Sequence, residues 1–132
     1  MEGACLCGAI DVVANDQSEV GVCHCATCRR WSGGPMFAVH CDDKVQFKGG
    51  TPKVFRSSDW AERGFCGECG THLFYRLVAS GVYILPAGLF QQHPFALTGQ
   101  VFIDEKPGFY ELANDTPKLT GQQLFEQFAE NP

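Results

Sequence analysis

Cysteine is the residue type in this sequence most suited to metal binding or catalysis, because the 132 residues include eight cysteines. Seven of them fall into three close groups. These groups are Cys5 with Cys7, then Cys23 with Cys25 and Cys28, then Cys66 with Cys69. In a reducing compartment, clustered cysteines more often bind metal or do chemistry than form disulfides. The grouping therefore predicts metal binding, and zinc is a metal that thiolates bind well.

Two of the groups resemble metal-binding turns. In "FCGECGTHLF" (65–74) a glycine lies inside the cysteine pair and another follows it, and "CLCG" (5–8) also ends in glycine. Glycine permits the backbone angles of such turns, and each pair supplies half of a tetrahedral zinc site. Together the pairs predict a structural zinc held by Cys5, Cys7, Cys66 and Cys69. A thioredoxin-like redox pair is the alternative at 66–69, but that motif opens a helix, whereas "THLFYRLV" (71–78) has the composition of a strand.

The third group can hold a second zinc ion through Cys23, Cys25 and Cys28. Three protein ligands leave one tetrahedral position open, which distinguishes a catalytic zinc site from a structural one. His24 lies between two of these cysteines and is expected to point away from a metal that they share, as a hydrogen-bonded or solvent-facing histidine. Spacing alone leaves another pairing open, with residues 5 and 7 joining 23 and 25, and residue 28 joining 66 and 69.

The elements that must position these groups are predicted to be mainly short strands. Short apolar runs alternate with Gly, Pro, Asn and Asp, which is typical of a mostly-β domain. The predicted strands cover residues 9–14, 35–41, 44–50, 53–58, 71–78, 81–89 and 99–105. In the strand over 35–41, Phe37, Val39 and Cys41 are predicted to share one side. Cys41 is accordingly predicted to be a buried core residue.

Helical patterning is scarce and is confined to two segments. A short helical turn is predicted over "ATCRRWS" (26–32), directly after Cys25. A second helix is predicted over "TGQQLFEQFAE" (120–130), with Thr120 as its N-cap and with Leu124, Phe125 and Phe128 on one face. We expect a single domain spanning residues 1–132 with little helix.

The composition excludes several classes of function. The formal net charge is −5 and the pI is about 5.2, so the chain is a poor candidate for binding the backbone of a nucleic acid. No stretch approaches the roughly 20 apolar residues of a membrane span. The opening "MEGACLCGAI" lacks a basic region followed by an apolar run, so no signal peptide is expected. We therefore expect a cytoplasmic protein.

The cysteine motifs resemble those of the glutathione-dependent formaldehyde-activating (Gfa-like) enzymes. The matching stretches are "CLCG", "CHCATCRRWSGGPMF" and "RGFCGECGTHLF", and "GLF" and "FIDEKPGFYEL" resemble the C-terminal half of that family. The resemblance implies an Mss4-like fold of short antiparallel sheets. It also implies that Cys5, Cys7, Cys66 and Cys69 hold a structural zinc. A second, catalytic zinc would be held by Cys23, Cys25 and Cys28, giving two zinc ions per chain.

The activity that the resemblance implies is carbon–sulfur lyase chemistry, in which the glutathione thiol adds to formaldehyde to give S-hydroxymethylglutathione. A thiol bound at an open zinc loses its proton near neutral pH and remains a nucleophile. Glutathione is anionic, and Arg29 and Arg30 are its nearest candidate contacts in sequence, with Arg56 and Arg63 as further candidates. Two other functions remain open: a non-catalytic zinc-binding module with a protein partner, and a redox or metal-handling protein.

Overall fold

The structure is a computed structural model that describes residues 1–130, with side chains described through residue 127. Its strands are β1 (Glu2–Ala4), β2 (Asp11–Val13), β3 (Glu19–Cys23), β4 (Met36–His40), β5 (Gln46–Lys48), β6 (Lys53–Arg56), β7 (Ala61–Phe65), β8 (His72–Leu77), β9 (Tyr83–Pro86), β10 (Ala96–Val101) and β11 (Lys118–Leu119). Its α-helices are α1 (Ala26–Ser32) and α2 (Gly121–Glu130). The predicted mostly-β class with little helix is confirmed.

The chain divides into two compact units. Unit 1 comprises Met1–Ser18 and Ala38–Phe95, and unit 2 comprises Glu19–Phe37 and Ala96–Pro132. The prediction of a single domain over residues 1–132 stays a prediction. Over the described part of the chain, no helix is both long and apolar enough to cross a membrane.

Unit 1 is built from antiparallel strands. Strands β1, β2 and β5 form a three-stranded sheet with β2 in the middle, and the 38–40 part of β4 pairs with β9, followed in order by β8, β7 and β6. Phe47, Phe74 and Tyr83 pack together with ring centroids 5.1–5.7 Å apart. Gly64 makes room for this cluster, since a Cβ at that position would lie 2.0 Å from a ring carbon of Phe74.

Unit 2 is built around parallel strands. Strand β10 pairs in parallel with β3 on one side and with β11 on the other. The register aligns Val101 with Cys23, so the carboxyl ends of β3 and β10 lie side by side. Helix α1 begins after Cys25, whose sulfur accepts a hydrogen bond from the amide of Cys28 at the helix N-terminus, and it ends at Gly33 in the left-handed conformation (φ 84°). The three clustered cysteines therefore occupy the turn from β3 into α1.

Each predicted strand overlaps an observed strand, and two of the predicted strands end three or four residues earlier than predicted. The strand predicted over 81–89 ends at Pro86 and gives way to a 3₁₀ turn over Ala87–Leu89. The strand predicted over 99–105 ends at Val101, because Phe102 adopts the left-handed conformation (φ 54°) and a 3₁₀ turn follows at Ile103–Glu105. Phe102 packs against Gly121, where a Cβ would lie 2.5 Å from its ring.

Two side-chain predictions in these elements also have clear outcomes. Val39 and Cys41 are buried as predicted, but Phe37 is 42 % exposed, because the buried side of the strand changes between Ala38 and Val39, which are both buried. Thr120 caps α2 as predicted: its hydroxyl accepts from the amide of Gln123, and the Gln123 side chain accepts in return from the amide of Thr120. Phe125 is 57 % exposed, and the side chain of Phe128 lies outside the described residues.

Candidate metal centres

Four cysteine sulfurs of unit 1 converge on a volume that fits one zinc ion. The cysteines are Cys5, Cys7, Cys66 and Cys69, and all four sulfurs lie within 4.8 Å of one another. The Cys5 and Cys7 sulfurs are 3.6 Å apart, and the Cys7 and Cys66 sulfurs are 3.8 Å apart. Four sulfurs at about 2.3 Å from a tetrahedral zinc are separated by about 3.8 Å. The measured separations match that edge length, and they are too long for a disulfide.

Local backbone geometry explains why the two pairs form turns. Gly8 and Gly70, which follow the two pairs, have φ angles of 78° and 80°. Within the first turn, the amide of Ile10 donates to the Cys5 sulfur at 3.3 Å. The second pair lies in the connection between the antiparallel strands β7 and β8. This turn leads into a strand, as predicted, whereas a thioredoxin-like motif would need a helix to begin there.

Thr71 ties the two turns to each other. Its hydroxyl oxygen accepts from the amide of Leu6 at 3.1 Å and lies 3.1 Å from the Cys69 sulfur. Hydrogen bonds from the hydroxyl and the backbone of Thr71 lower the pKa of the Cys69 thiol to about 5. A thiol that ionises readily is a suitable metal ligand, since metals bind the thiolate form.

Three cysteines of unit 2 form a second convergent group. The sulfurs of Cys23, Cys25 and Cys28 lie within 4.8 Å of one another, and among the described residues no fourth Cys, His, Asp or Glu joins the group. The amide of Cys28 donates to the Cys25 sulfur at 3.3 Å, which anchors one ligand at the start of α1. The structure thus gathers the cysteines as four and three, and it does not adopt the alternative pairing that spacing left open.

Close packing of these three thiols opposes their ionisation. Hydrogen bonds with the thiols of Cys25 and Cys28, together with burial, raise the pKa of Cys23. The pKa of Cys25 is also raised: its hydrogen bond with Cys23 is the largest influence and lowers it, but its hydrogen bond with Cys28 and its burial outweigh that effect. Three thiolates so close together need a cation to balance their charge, and a bound divalent metal supplies that balance. The donor set therefore fits zinc.

His24 is not a member of the cysteine group, and of the two surroundings predicted for it the structure shows the hydrogen-bonded one and not the solvent-facing one. Its side chain is fully buried, Nε2 lies 2.8 Å from Oε1 of Gln100, and Nδ1 lies 2.8 Å from the hydroxyl of Tyr110. The ring of Tyr110 stacks on the imidazole at 5.5 Å between centroids. Both ring nitrogens have these partners, so neither is available as a metal ligand.

The segment after β10 reaches back to the same turn. Oε1 of Glu105 accepts from the amide of Ala26, the first residue of α1, at 3.0 Å. Lys106 donates to the carbonyl oxygen of Tyr110 at 2.6 Å and pairs with Glu111 at 2.8 Å. These contacts fix the loop that carries Tyr110 against the start of α1.

The predicted arginine contacts lie in different environments. Arg29 and Arg30 are both on α1, where Arg29 donates from Nε to the carbonyl oxygen of His24 at 3.0 Å, whereas Arg30 is exposed. Arg56 donates to the carbonyl oxygens of Ser58 and Asp59, and Arg63 is buried with its guanidinium 5.0 Å from the ring centre of Tyr75. Of the four arginines, only Arg29 and Arg30 share a unit with the three-cysteine cluster.

Cys41, His72 and His93 are each held by burial or by a backbone hydrogen bond. Cys41 is buried, and burial raises the pKa of its thiol to about 11. Nε2 of His72 lies 3.0 Å from the carbonyl oxygen of Phe74, and Nε2 of His93 lies 2.6 Å from that of Gln17. Among the described residues, neither metal-binding group includes Cys41 or a histidine. The prediction of a core role for Cys41 agrees with its burial.

Sequence reasoning missed the polar residues that support the two clusters. Spacing gave no role to Gln100, Glu105 and Tyr110, because single polar residues distant from a motif give no periodic signal. Thr71 lies inside the quoted stretch "FCGECGTHLF", but a single threonine there also gives no periodic signal. The stretch "FIDEKPGFYEL" (102–112) contains Glu105 and Tyr110, so the family resemblance at that stretch was the available indication.

Comparison with known proteins agrees with the cysteine geometry. Residues 1–105 match the sequence model of the family described as glutathione-dependent formaldehyde-activating enzyme. An uncharacterized lyase of Schizosaccharomyces pombe is 35 % identical over 129 residues, covering 95 % of this chain and 94 % of its own. A crystal structure of a Rhodobacter sphaeroides protein has a TM-score of 0.55 at 19 % identity, covering 73 % of this chain and 100 % of its own, which shows a shared fold. The chain therefore belongs to the glutathione-dependent formaldehyde-activating enzyme family.

Proposed function

We propose that this chain is a zinc-dependent carbon–sulfur lyase-type enzyme that adds a glutathione-like thiol to formaldehyde or a related small electrophile. Its reaction would take place at Cys23, Cys25 and Cys28. The observation that carries the proposal is the difference between the two clusters: four sulfurs converge in one, and three sulfurs converge in the other. The family match and the lyase name of the yeast relative support the same reaction class.

The three-cysteine group is suited to binding a thiol. A zinc ion held there would supply one open coordination position, at which an incoming thiol ionises near neutral pH. The protein's part is to hold Cys23, Cys25 and Cys28 in a fixed arrangement, which it does through the end of β3 and the start of α1. The four-cysteine group has no position left for a substrate once its four sulfurs bind a metal, so its proposed role is structural.

Arg29 and Arg30 are the proposed contacts for the carboxylates of the thiol substrate. Both lie in the last turn of the seven-residue helix α1, next to the ligand Cys28 in the chain. Arg29 is already oriented by its Nε contact with the backbone of His24, which leaves the terminal nitrogens of its guanidinium as donors to an anion. Because both clusters require reduced thiols, we propose the cytoplasm as the location.

A metal count combined with a rate measurement tests the function. The wild-type protein should contain two zinc ions per chain and should accelerate the interconversion of formaldehyde, glutathione and their adduct above the uncatalysed rate, as measured by exchange NMR. Cys25→Ser should retain one zinc and lose the acceleration. Cys41→Ala is the matched control, because Cys41 lies outside both groups, and it should keep both zinc ions and the full rate.

The competing function of a non-catalytic module predicts a different result in the same experiment. A non-catalytic zinc-binding module would contain zinc without accelerating the interconversion in any variant. A wild-type protein that leaves the rate at its uncatalysed value, or a Cys25→Ser variant that retains the wild-type rate, would overturn the proposal.

A further inference from the structure

Both backbone amides that flank Cys25 are held by the end of β10 and the turn after it. The amide of His24, before Cys25, donates to the carbonyl oxygen of Val101 at 3.1 Å. The amide of Ala26, after Cys25, donates to Oε1 of Glu105 at 3.0 Å. The peptide planes on the two sides of this cysteine therefore have fixed orientations, and one of them depends on a single carboxylate.

The first turn of α1 orients Cys25 and Cys28 relative to each other, because the amide of Cys28 donates to the Cys25 sulfur at 3.3 Å. The first amides of a helix have no partner within the helix, so the Ala26 amide needs an acceptor from elsewhere, and Glu105 is that acceptor. Four covalent bonds separate the Ala26 nitrogen from the Cys25 sulfur, which places these two atoms within about 5 Å of each other. The bonded oxygen of Glu105 is therefore within about 8 Å of that sulfur.

Two properties of Glu105 act on the cluster in opposite directions. Its negative charge opposes the ionisation of the three thiols, because like charges repel. Its hydrogen bond favours metal binding, because a ligand whose backbone is already held loses less conformational freedom when it binds a metal. Partners that orient metal ligands typically contribute about 10- to 100-fold to metal affinity. The hydrogen bond is thus the property through which Glu105 can strengthen the metal site.

We propose that Glu105 is a positioning residue for the three-cysteine metal centre, and that it holds Cys25 in the orientation of a ligand through the Ala26 amide. The inference rests on the proposed function in one respect, which is that this group binds zinc. It assigns to a residue outside the cysteine motifs a part of the metal affinity of one centre and not of the other.

Asp104, the preceding residue, provides a matched control. Its Oδ1 accepts from the amide of Gly121 at 3.0 Å, at the start of α2. Two consecutive carboxylates thus accept from the first amides of two different helices, and only α1 contains cysteine. Asp104→Ala therefore removes the same kind of contact without changing the turn that carries the three cysteines.

Competition with a zinc chelator measures the zinc affinity of the three-cysteine group in each variant. Glu105→Ala should lower that affinity by about 10- to 100-fold. Glu105→Gln should stay near the wild-type value, because its amide oxygen can accept from Ala26 without the charge. Asp104→Ala should bind zinc as the wild type does. In the Cys25→Ser protein, which should keep only the four-cysteine zinc, adding Glu105→Ala should leave the zinc affinity unchanged.

Ala26→Pro removes the same hydrogen bond from the donor side, because proline has no N–H. Proline is favoured at the first position of a helix, and Cys25 already has the extended conformation (φ −63°, ψ 152°) that a residue before proline prefers. The zinc affinity of this variant should fall by a similar factor. Adding Glu105→Ala to it should cause no further loss, because the shared hydrogen bond is lost only once.

A Glu105→Ala protein that binds both zinc ions as tightly as the wild type would overturn the inference, and so would an equal loss of affinity in Asp104→Ala. If Glu105→Ala does not fold, the other two variants decide. Wild-type affinity in Ala26→Pro, or weakened binding in Glu105→Gln, would then overturn it.

These measurements need no substrate, so they separate this inference from the proposed function. A protein that binds two zinc ions as described but does not accelerate the interconversion would refute the proposed function and leave the role of Glu105 standing. A wild-type protein that binds zinc only at the four-cysteine group would overturn both.

Discussion

Replacing Cys66 with serine should unfold the protein, whereas replacing Cys25 with serine should not. Cys66 is 1 % exposed, and its sulfur lies 3.8 Å from that of Cys7, so it is an interior member of the four-cysteine cluster. Its backbone also closes the turn between β7 and β8, where its amide donates to the carbonyl of Thr71 at 2.9 Å. Loss of this sulfur leaves three ligands in a group that otherwise joins the N-terminal turn to the β7–β8 connection.

The expected magnitude depends on the role of the metal in folding. Structural zinc contributes an apparent binding free energy of about 10–16 kcal/mol in small zinc-binding domains. The net free energy of unfolding of a whole domain is about 5–15 kcal/mol. Losing even half of the zinc contribution would cancel most of the net free energy of unfolding. The Cys66→Ser chain is therefore expected to lack a cooperative thermal transition.

The Cys25→Ser change is expected to be mild because Cys25 is the N-cap of α1. Its sulfur accepts from the amide of Cys28, and serine, a preferred N-cap residue, can accept the same hydrogen bond. We expect a change of about 1 kcal/mol or less in the metal-independent stability of the helix. The two variants therefore differ in which zinc they lose and in what that loss does to the fold.

Circular dichroism melts and zinc analysis of the two purified variants measure this difference. Cys25→Ser should give one zinc per chain and a cooperative melt. Cys66→Ser should give an unfolded far-ultraviolet spectrum. A Cys66→Ser protein that retains a cooperative melt within a few degrees of the wild type would refute the assignment of the four-cysteine group as the structural centre.

Three further predictions concern the surrounding fold. Gly64→Ala should lower the urea midpoint by the equivalent of about 1–3 kcal/mol, because the added Cβ would lie 2.0 Å from the ring of Phe74; an unchanged midpoint would contradict the packing. Burial lowers the pKa of His72 from 6.5 to about 4, so the folded state keeps it neutral and stability should fall as pH drops from about 6.5 to about 4. His72→Gln should make that fall shallower, and superimposable pH curves would argue against it. Thr120→Ala should speed amide exchange at the start of α2, since a lost N-cap costs about 1 kcal/mol; unchanged exchange there would count against the cap formed with Gln123.

The two metal clusters were predictable because their ligands lie close together in sequence. A C-x-x-C pair such as Cys66 and Cys69 forms its turn within a few residues, and Gly70 supplies the left-handed angle that ends it. The short helix after Cys25 was predictable for the same reason, since its cap and its first turn are local. Assigning the cysteines as four and three needed the family resemblance, because spacing alone allowed two pairings.

The supports of the second cluster were not predictable from pattern. His24 is adjacent to its ligands, but its partners Gln100 and Tyr110 lie 76 and 86 residues away in sequence. Their meeting depends on the parallel register of β3 and β10, which no local signal specifies. The early end of β10 was unpredictable for the same reason. The left-handed Phe102 that ends it packs against Gly121, a residue distant in the chain.

The most direct test of the central claim is the cobalt spectrum of the metal-substituted protein in the presence of glutathione. If Cys23, Cys25 and Cys28 hold a metal with one open position, millimolar glutathione should change the d–d bands of the wild-type cobalt protein. The Cys25→Ser protein, which should retain only the four-cysteine metal, should show no change. A wild-type spectrum that is identical with and without glutathione would contradict the claim that this group admits a thiol.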